Sequence, residues 1–153
     1  MNKMLYTEYL AQSREDVCHF CNPRGRKFIE NAGAYLTYGI APYHKHHLLV
    51  IPKKHTRSFM ELTREEAEQV WDIIRKASAI LLELGYESYT VIVREGKNDA
   101  KSMEHLHYHI IPEEHIGDLD HDGNKRVVMT EKEIQAVSQD IEKAMQKLMF
   151  TGL

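Results

Sequence analysis

The run His105-Leu106-His107-Tyr108-His109-Ile110-Ile111 alternates three histidines with apolar residues. In an extended strand, successive side chains point to opposite faces. The three histidines then share one face, about 7 Å from one to the next, while Leu106, Tyr108 and Ile110 line the other. A core strand would carry apolar groups at the histidine positions, and a solvent-facing strand Lys, Glu or Thr. Three imidazoles in that register point to a metal site, or to a nucleophile with polar helpers. Neutral imidazole is a nucleophile that titrates near pH ~6.5. To attack, it needs one ring nitrogen free and the other held as N–H, typically by a carbonyl that sets the tautomer. His107, with a histidine on each side, is the best placed of the three.

Outward from this run, residues 104–112 read as the histidine strand. Tyr89 to Glu95 is a strand before it, and a polar loop from Gly96 to Ser102 joins the two. Thr63-Arg64-Glu65-Glu66 predicts a capping box, with Thr63 as N-cap and Glu66 three residues on. Behind it Val70, Ile73, Ile74, Ala77, Ile80, Leu81 and Leu84 follow helical spacing. Gly85 stands where that helix should stop, and Trp71 is expected to pack. Ala34 to Ile40 and His47 to Ile51 read as an antiparallel strand pair, the second ended by Pro52. Residues 3–15 predict a short polar helix. A tail helix should start near Thr130, capped through Glu133, with Ile134, Val137, Ile141 and Met145 on one face. The order helix, strands, long helix, strands, helix gives an α+β class with a largely antiparallel sheet.

A chain of 153 residues suits one domain, and 42% apolar residues are enough to bury a core. Formal net charge is −3, from 20 basic and 23 acidic residues. That argues against nonspecific nucleic-acid binding, which depends on a positive surface. An anionic ligand would have to be held locally by a few placed donors. The stretch Met1 to Glu8 has no apolar signal core and no spanning segment follows, so the expectation is a cytoplasmic chain with no membrane partner.

Cys18 and Cys21 form a Cys-x-x-Cys pair, which in a reducing compartment favours metal or redox chemistry over a structural disulfide. The pair fits one half of a tetrahedral zinc site. A thioredoxin-like redox role lacks the βαβ context, and two unligated thiols are the remaining reading. His19, His44, His115 and His121 read as surface residues, and residues 117–123 as a solvated loop.

The histidine run resembles the signature of the histidine triad family of nucleotide hydrolases and transferases, His-φ-His-φ-His-φ-φ with φ apolar, at every position. His47-Leu48-Leu49-Val50-Ile51-Pro52-Lys53-Lys54-His55 is similar to that family's His-x-Leu-Val-Ile-Pro-Lys-x-His segment, and Glu95 to Ser102 to its substrate loop. The likeness runs in order over residues 16 to 115, leaving 116–153 as a C-terminal loop and helix of the same single domain. It implies a five-stranded antiparallel sheet with a long helix and a C-terminal helix, two copies packing into a homodimer with a continuous ten-stranded sheet.

The resemblance also implies nucleotidyl transfer. His107 would attack the α-phosphorus of a purine nucleotide bearing a leaving group, such as an adenosine phosphoramidate or a dinucleoside polyphosphate. Water would then cleave the nucleotidyl-histidine and release a nucleoside monophosphate, splitting one hard displacement into two. His47 and His109 would contact the phosphate oxygens, with Ser102 and Lys101 nearby. In the zinc-bearing branch, Cys18 and Cys21 would be joined by His55 and His105 around a closed, structural zinc. Gly39 stands where the family often has an acid gripping the ribose, Arg94 where Asn is common, Lys101 where Gln is common, and His46 where a small residue is common. Two other readings compete: a metallohydrolase whose three histidines hold a catalytic zinc, and a non-catalytic nucleotide sensor.

Overall fold

The computed structural model describes residues 3–12, 17–96, 103–113 and 126–150, with side chains to 148 in the last segment. Its elements are α1 (Tyr6–Gln12), β1 (Ile29–Glu30), β2 (Ala34–Tyr38), β3 (Leu48–Pro52), a 3-10 turn (Phe59–Glu61), α2 (Arg64–Glu83), β4 (Tyr89–Val93), β5 (Tyr108–Pro112) and α3 (Glu131–Phe150). The five strands form one antiparallel sheet in the order β1-β2-β3-β5-β4. The α+β expectation and the five-stranded sheet therefore hold.

Alternation along the strands assigns the two sheet faces. Ala34 and Leu36 of β2, Leu48 and Val50 of β3 and Ile110 of β5 share a core with Val70, Ile73, Ile74, Ala77, Ile80 and Leu81 of α2. The odd positions Tyr35, Leu49 and Ile51 form a second cluster on the opposite face, with Phe20 against it. One face thus carries α2 and α3, and the other is left for the site. Every residue of β2 and β3 is buried, as expected for strands covered on both sides.

The long helix begins as its sequence dictates. Thr63 accepts from the Glu66 N–H at 3.2 Å, and the Glu66 carboxylate accepts from the Thr63 N–H at 2.7 Å. It ends at Gly85, whose φ of 92° is the left-handed conformation that glycine adopts without penalty. Thr130 and Glu133 make the same reciprocal cap on α3. Val137 and Ile141 are buried against α2, and Ile134 and Met145 are half-buried.

His46 supplies a second tie for α3. It is 3% exposed; its Nε2–H donates to Asp140 of α3 at 2.8 Å, and its Nδ1 accepts from the Tyr86 hydroxyl at 2.6 Å. Burial lowers its pKa, against the opposing pull of Asp140. Its ring, which the sequence left unexplained, reaches both Tyr86, just past the end of α2, and Asp140 of α3.

The structure corrects several expectations. The ladder of β5 begins at Tyr108, so His105 and His107 lie in the segment leading into the strand and His109 alone is within it. Trp71 does not pack; it is 61% exposed, one residue off the buried stripe of α2. His19 is half-buried, and its Nε2 is enclosed with no hydrogen-bond partner among the described residues. The two-residue strand β1 has no sequence signal of its own. Lys101, Ser102, His115, His121 and the loop 117–123 lie outside the described residues.

Candidate functional site

The opposite face of the sheet carries a cleft of about 440 Å³, lined by His47, His107 and His109 together with Phe20, Tyr35, Thr37, Tyr38 and Leu49. The pairing Leu49↔His109 brings β3 and β5 together here, and His47 stands just before β3. All three histidines are buried, with exposures of 2–6%.

Their hydrogen bonds fix the tautomers. The backbone N–H of Tyr43 donates to His47 Nδ1 at 3.2 Å, so His47 carries its proton on Nε2. That N–H donates to His109 Nδ1 at 2.9 Å, which leaves a neutral His109 protonated on Nε2. His109 Nε2 lies 3.4 Å from Arg94 Nη1, so two donors face one another. An anionic oxygen beside them would accept from both.

His107 donates from Nδ1–H to the carbonyl of His105 at 2.8 Å, which places its lone pair on Nε2. Its ring touches His109 (centroids 4.8 Å) and Phe20 (5.2 Å). Burial, and after it the neighbouring positive charges, pushes the His47 pKa down to about 3 and that of His109 well below its ordinary value. Both are therefore neutral donors at neutral pH.

Gly39 is explained by His47. A Cβ built on Gly39 would lie 3.1 Å from His47 Nδ1 and 3.3 Å from its Cγ. Any side chain there presses on the ring that orients His109.

His105 does not join this group. Its Nε2–H donates to the Pro52 carbonyl at 2.8 Å, which turns Nδ1 toward Cys18 Sγ (3.4 Å) and Cys21 Sγ (3.5 Å). His55 Nδ1 lies 3.1 Å from Cys21 Sγ, and the ligand atoms of Cys18, Cys21, His55 and His105 all fall within 4.8 Å of one another. Zinc at ~2.3 Å from sulfur and ~2.0 Å from nitrogen would separate tetrahedral ligands by about 3.5 Å. The donor set fits that ion, and the Pro52 carbonyl is the outer partner that a metal-bound imidazole needs. Phe20, between the two cysteines, meets the His105 ring edge-on at 5.9 Å, and its carbonyl accepts from the Tyr35 hydroxyl at 2.6 Å.

A match to the HIT domain covers residues 22–116. The chain belongs to the HIT family. Among curated HIT relatives, an adenosine 5'-monophosphoramidase of Schizosaccharomyces pombe is 34% identical over 86 residues, which are 56% of this chain and 62% of the relative. A bis(5'-adenosyl)-triphosphatase of Dictyostelium discoideum is 29% identical over 86 residues, 56% of this chain and 58% of the relative. The chain thus spans about three fifths of the length of these relatives. Among solved structures, a hypothetical histidine triad nucleotide-binding protein from Sulfolobus tokodaii superposes with a TM-score of 0.71 at 21% identity, over 86% of this chain and 93% of that one. A zinc-bound histidine triad protein from Mycobacterium smegmatis superposes with a TM-score of 0.63 at 19% identity, over 85% and 96%. These two likenesses establish the shared HIT fold.

The sequence-predicted residues thus fall into two neighbouring groups. His47, His107 and His109 meet in the cleft, and Cys18, Cys21, His55 and His105 meet behind it. Sequence reasoning missed Tyr43, which sets the tautomer of His47 through its backbone N–H, and Arg126, which also lines the cleft. Neither carries a local motif.

Proposed function

We propose that this HIT protein is a nucleotide hydrolase or nucleotidyl transferase that acts at the α-phosphate of a purine nucleotide. Its substrate would be an adenosine phosphoramidate or a dinucleoside polyphosphate. The observation that carries the reading is the His107 tautomer: Nδ1–H is bound to the His105 carbonyl, which puts the nucleophilic lone pair on Nε2, beside His109 and His47. His107 Nε2 attacks phosphorus, the P–N or P–O bond to the leaving group breaks, and the leaving group departs with the electron pair. Water then attacks the nucleotidyl-histidine and releases the nucleoside monophosphate. His109 Nε2–H and Arg94 donate to the non-bridging oxygens as negative charge builds there. Lys101 and Ser102 are assigned to the leaving-group side on the strength of the sequence alone.

Cys18, Cys21, His55 and His105 would hold zinc in a closed site, where it locks the fold rather than reacting. Its anchoring of His105 and Phe20 would set the place of His107, two residues further on. We place a homodimer contact at β4, one of the two edge strands of the sheet, which exposes Tyr89 and Val91. The single-domain, cytoplasmic reading, with neither nucleic acid nor membrane as partner, stays part of the proposal. No helix among the described residues is long and apolar enough to cross a membrane.

The test is AMP release from an adenosine phosphoramidate and from diadenosine tri- and tetraphosphate, by wild type and by His107→Ala. Release by wild type alone supports the proposal, and the ranking of substrates names the branch. Equal release by a folded His107→Ala variant refutes it.

A further inference from the structure

Arg126 is placed with more care than a loop arginine needs. It lines the cleft at the head of a short segment whose backbone pairs with the N-terminal residues. Tyr6 N–H donates to the Arg126 carbonyl at 3.1 Å, Val128 N–H to Met4 at 2.8 Å and Met129 N–H to Ile40 at 3.1 Å, with a bridge between Leu5 and Val127. This pairing carries the guanidinium onto two aromatic faces, with Cζ 4.3 Å from the Tyr6 ring centre and 4.6 Å from that of Tyr43. Tyr43 in turn stacks on His47, with centroids 5.6 Å apart. The arginine is therefore one ring away from the histidine that orients His109.

Stacking covers the faces of a guanidinium and leaves its in-plane N–H donors free to bind. Among the described residues, the one acceptor these donors meet is the Ala41 carbonyl, at 3.5 Å from Nη1. That distance is the outer limit of a hydrogen bond. The cleft around it is cationic. Arg24, Arg26 and Arg126 line it, and among the described residues no Asp or Glu does, in a chain whose net charge is −3. One phosphate is already provided for by His107, His109 and Arg94. The forked donors of a fourth group call for a second anion of phosphate geometry.

We propose that Arg126 makes the cleft selective for nucleotides that carry a second phosphate group beyond the one His107 attacks. This rests on the nucleotide reading of the cleft. The second phosphate could belong to the leaving group, as in a polyphosphate, or to the ribose, as in a 2'- or 3'-phosphorylated nucleotide. Arg126 is a specificity residue in either case and takes no part in bond breaking.

The test is equilibrium binding of AMP, α,β-methylene-ADP and adenosine 3',5'- and 2',5'-bisphosphate to the zinc-loaded wild type and to Arg126→Gln. Wild type should bind at least one of the doubly phosphorylated ligands about 10- to 100-fold tighter than AMP, the gain expected of one charge-assisted contact. In Arg126→Gln that gain should vanish, with AMP affinity changed less than about 3-fold. Preference for the methylene compound assigns the leaving-group phosphate, and preference for a bisphosphate the ribose phosphate. No preference in wild type, or equal loss of AMP and of the doubly phosphorylated ligands in the variant, overturns the proposal. Wild type that binds no AMP refutes the nucleotide reading itself and takes the proposal with it. If Arg126→Gln does not fold, Arg126→Lys keeps the charge and the alkyl stem but loses the fork. It should lose most of the preference, and an unchanged preference overturns the proposal.

Discussion

His47→Asn should make the fold less sensitive to mild acid, and the size of the effect follows from burial. His47 is 2% exposed and its pKa is held at about 3, first by desolvation and then by the charges of Arg126 and His107. In the unfolded chain the same imidazole titrates near ~6.5. A folded pKa below the unfolded one means that the unfolded state takes up the proton first. Stability is then complete above pH 6.5 and falls as the pH is lowered, by about 1.4 kcal/mol per unit for one proton. Between pH 6.5, where the unfolded imidazole is already half protonated, and pH 5.0 His47 alone should cost about 1.6 kcal/mol. The window is clean of the strongest carboxylates: Lys53 and Lys27 hold Glu30, and Lys3 and Thr130 hold Glu133, at about 2, so both lose stabilisation only as the pH falls through about 4.5. His109 and His46 also titrate low, but they are common to both proteins. The assay is urea unfolding at pH 6.5 and 5.0 with zinc saturating, for wild type and His47→Asn, where Asn keeps an amide donor and an acceptor near the ring positions. Wild type should lose about 1.6 kcal/mol more than the variant over that interval. Equal losses would show that His47 is not held neutral, and the tautomer chain through His109 would fail with it.

Other outcomes follow from the same geometry. Wild type should carry one zinc per chain by elemental analysis; Cys21→Ser and His105→Ala should each drop metal content and melting temperature together, and full zinc retention in either would displace the proposed ligand set. Arg94→Gln should lower kcat/KM about 100-fold, as loss of one oxyanion donor does, with Arg94→Lys recovering part of it; an unaffected Gln variant would remove Arg94 from the oxyanion site. A double-mutant cycle of His46→Ala and Asp140→Ala should give a coupling of about 1–2 kcal/mol in urea unfolding, and additive effects would mean that the pair does not dock α3.

Much of the fold was legible where the signal is local. The capping boxes at Thr63 and Thr130 and the Gly85 stop are chemistry among residues three or four apart, and they fell where expected. The histidine run was read as one continuous strand face, and the structure breaks it at Tyr108, where β5 begins. Pattern alone cannot show that His105 turns to Pro52 and the cysteines while His107 folds back on the His105 carbonyl. Trp71 was expected to pack because it lies on the long helix; its position one residue off the apolar stripe already placed it outside. The two-residue β1 has no periodicity to find. His46, Arg126 and the role of Gly39 were illegible for one reason. Each is defined by a partner that no local periodicity points to: Asp140, Tyr6 and, across the turn from β2 to β3, the His47 ring.

The central claim is that His107 Nε2 becomes covalently bonded to the nucleotide, and intact-protein mass spectrometry tests it most directly. Wild type would be mixed with an adenosine phosphoramidate or a diadenosine polyphosphate and quenched within one turnover. The prediction is a protein species heavier by one adenylyl group, mapped to the peptide containing His107 and absent in His107→Ala. AMP release with no such species at any quench time, or an adduct on another residue, would contradict it.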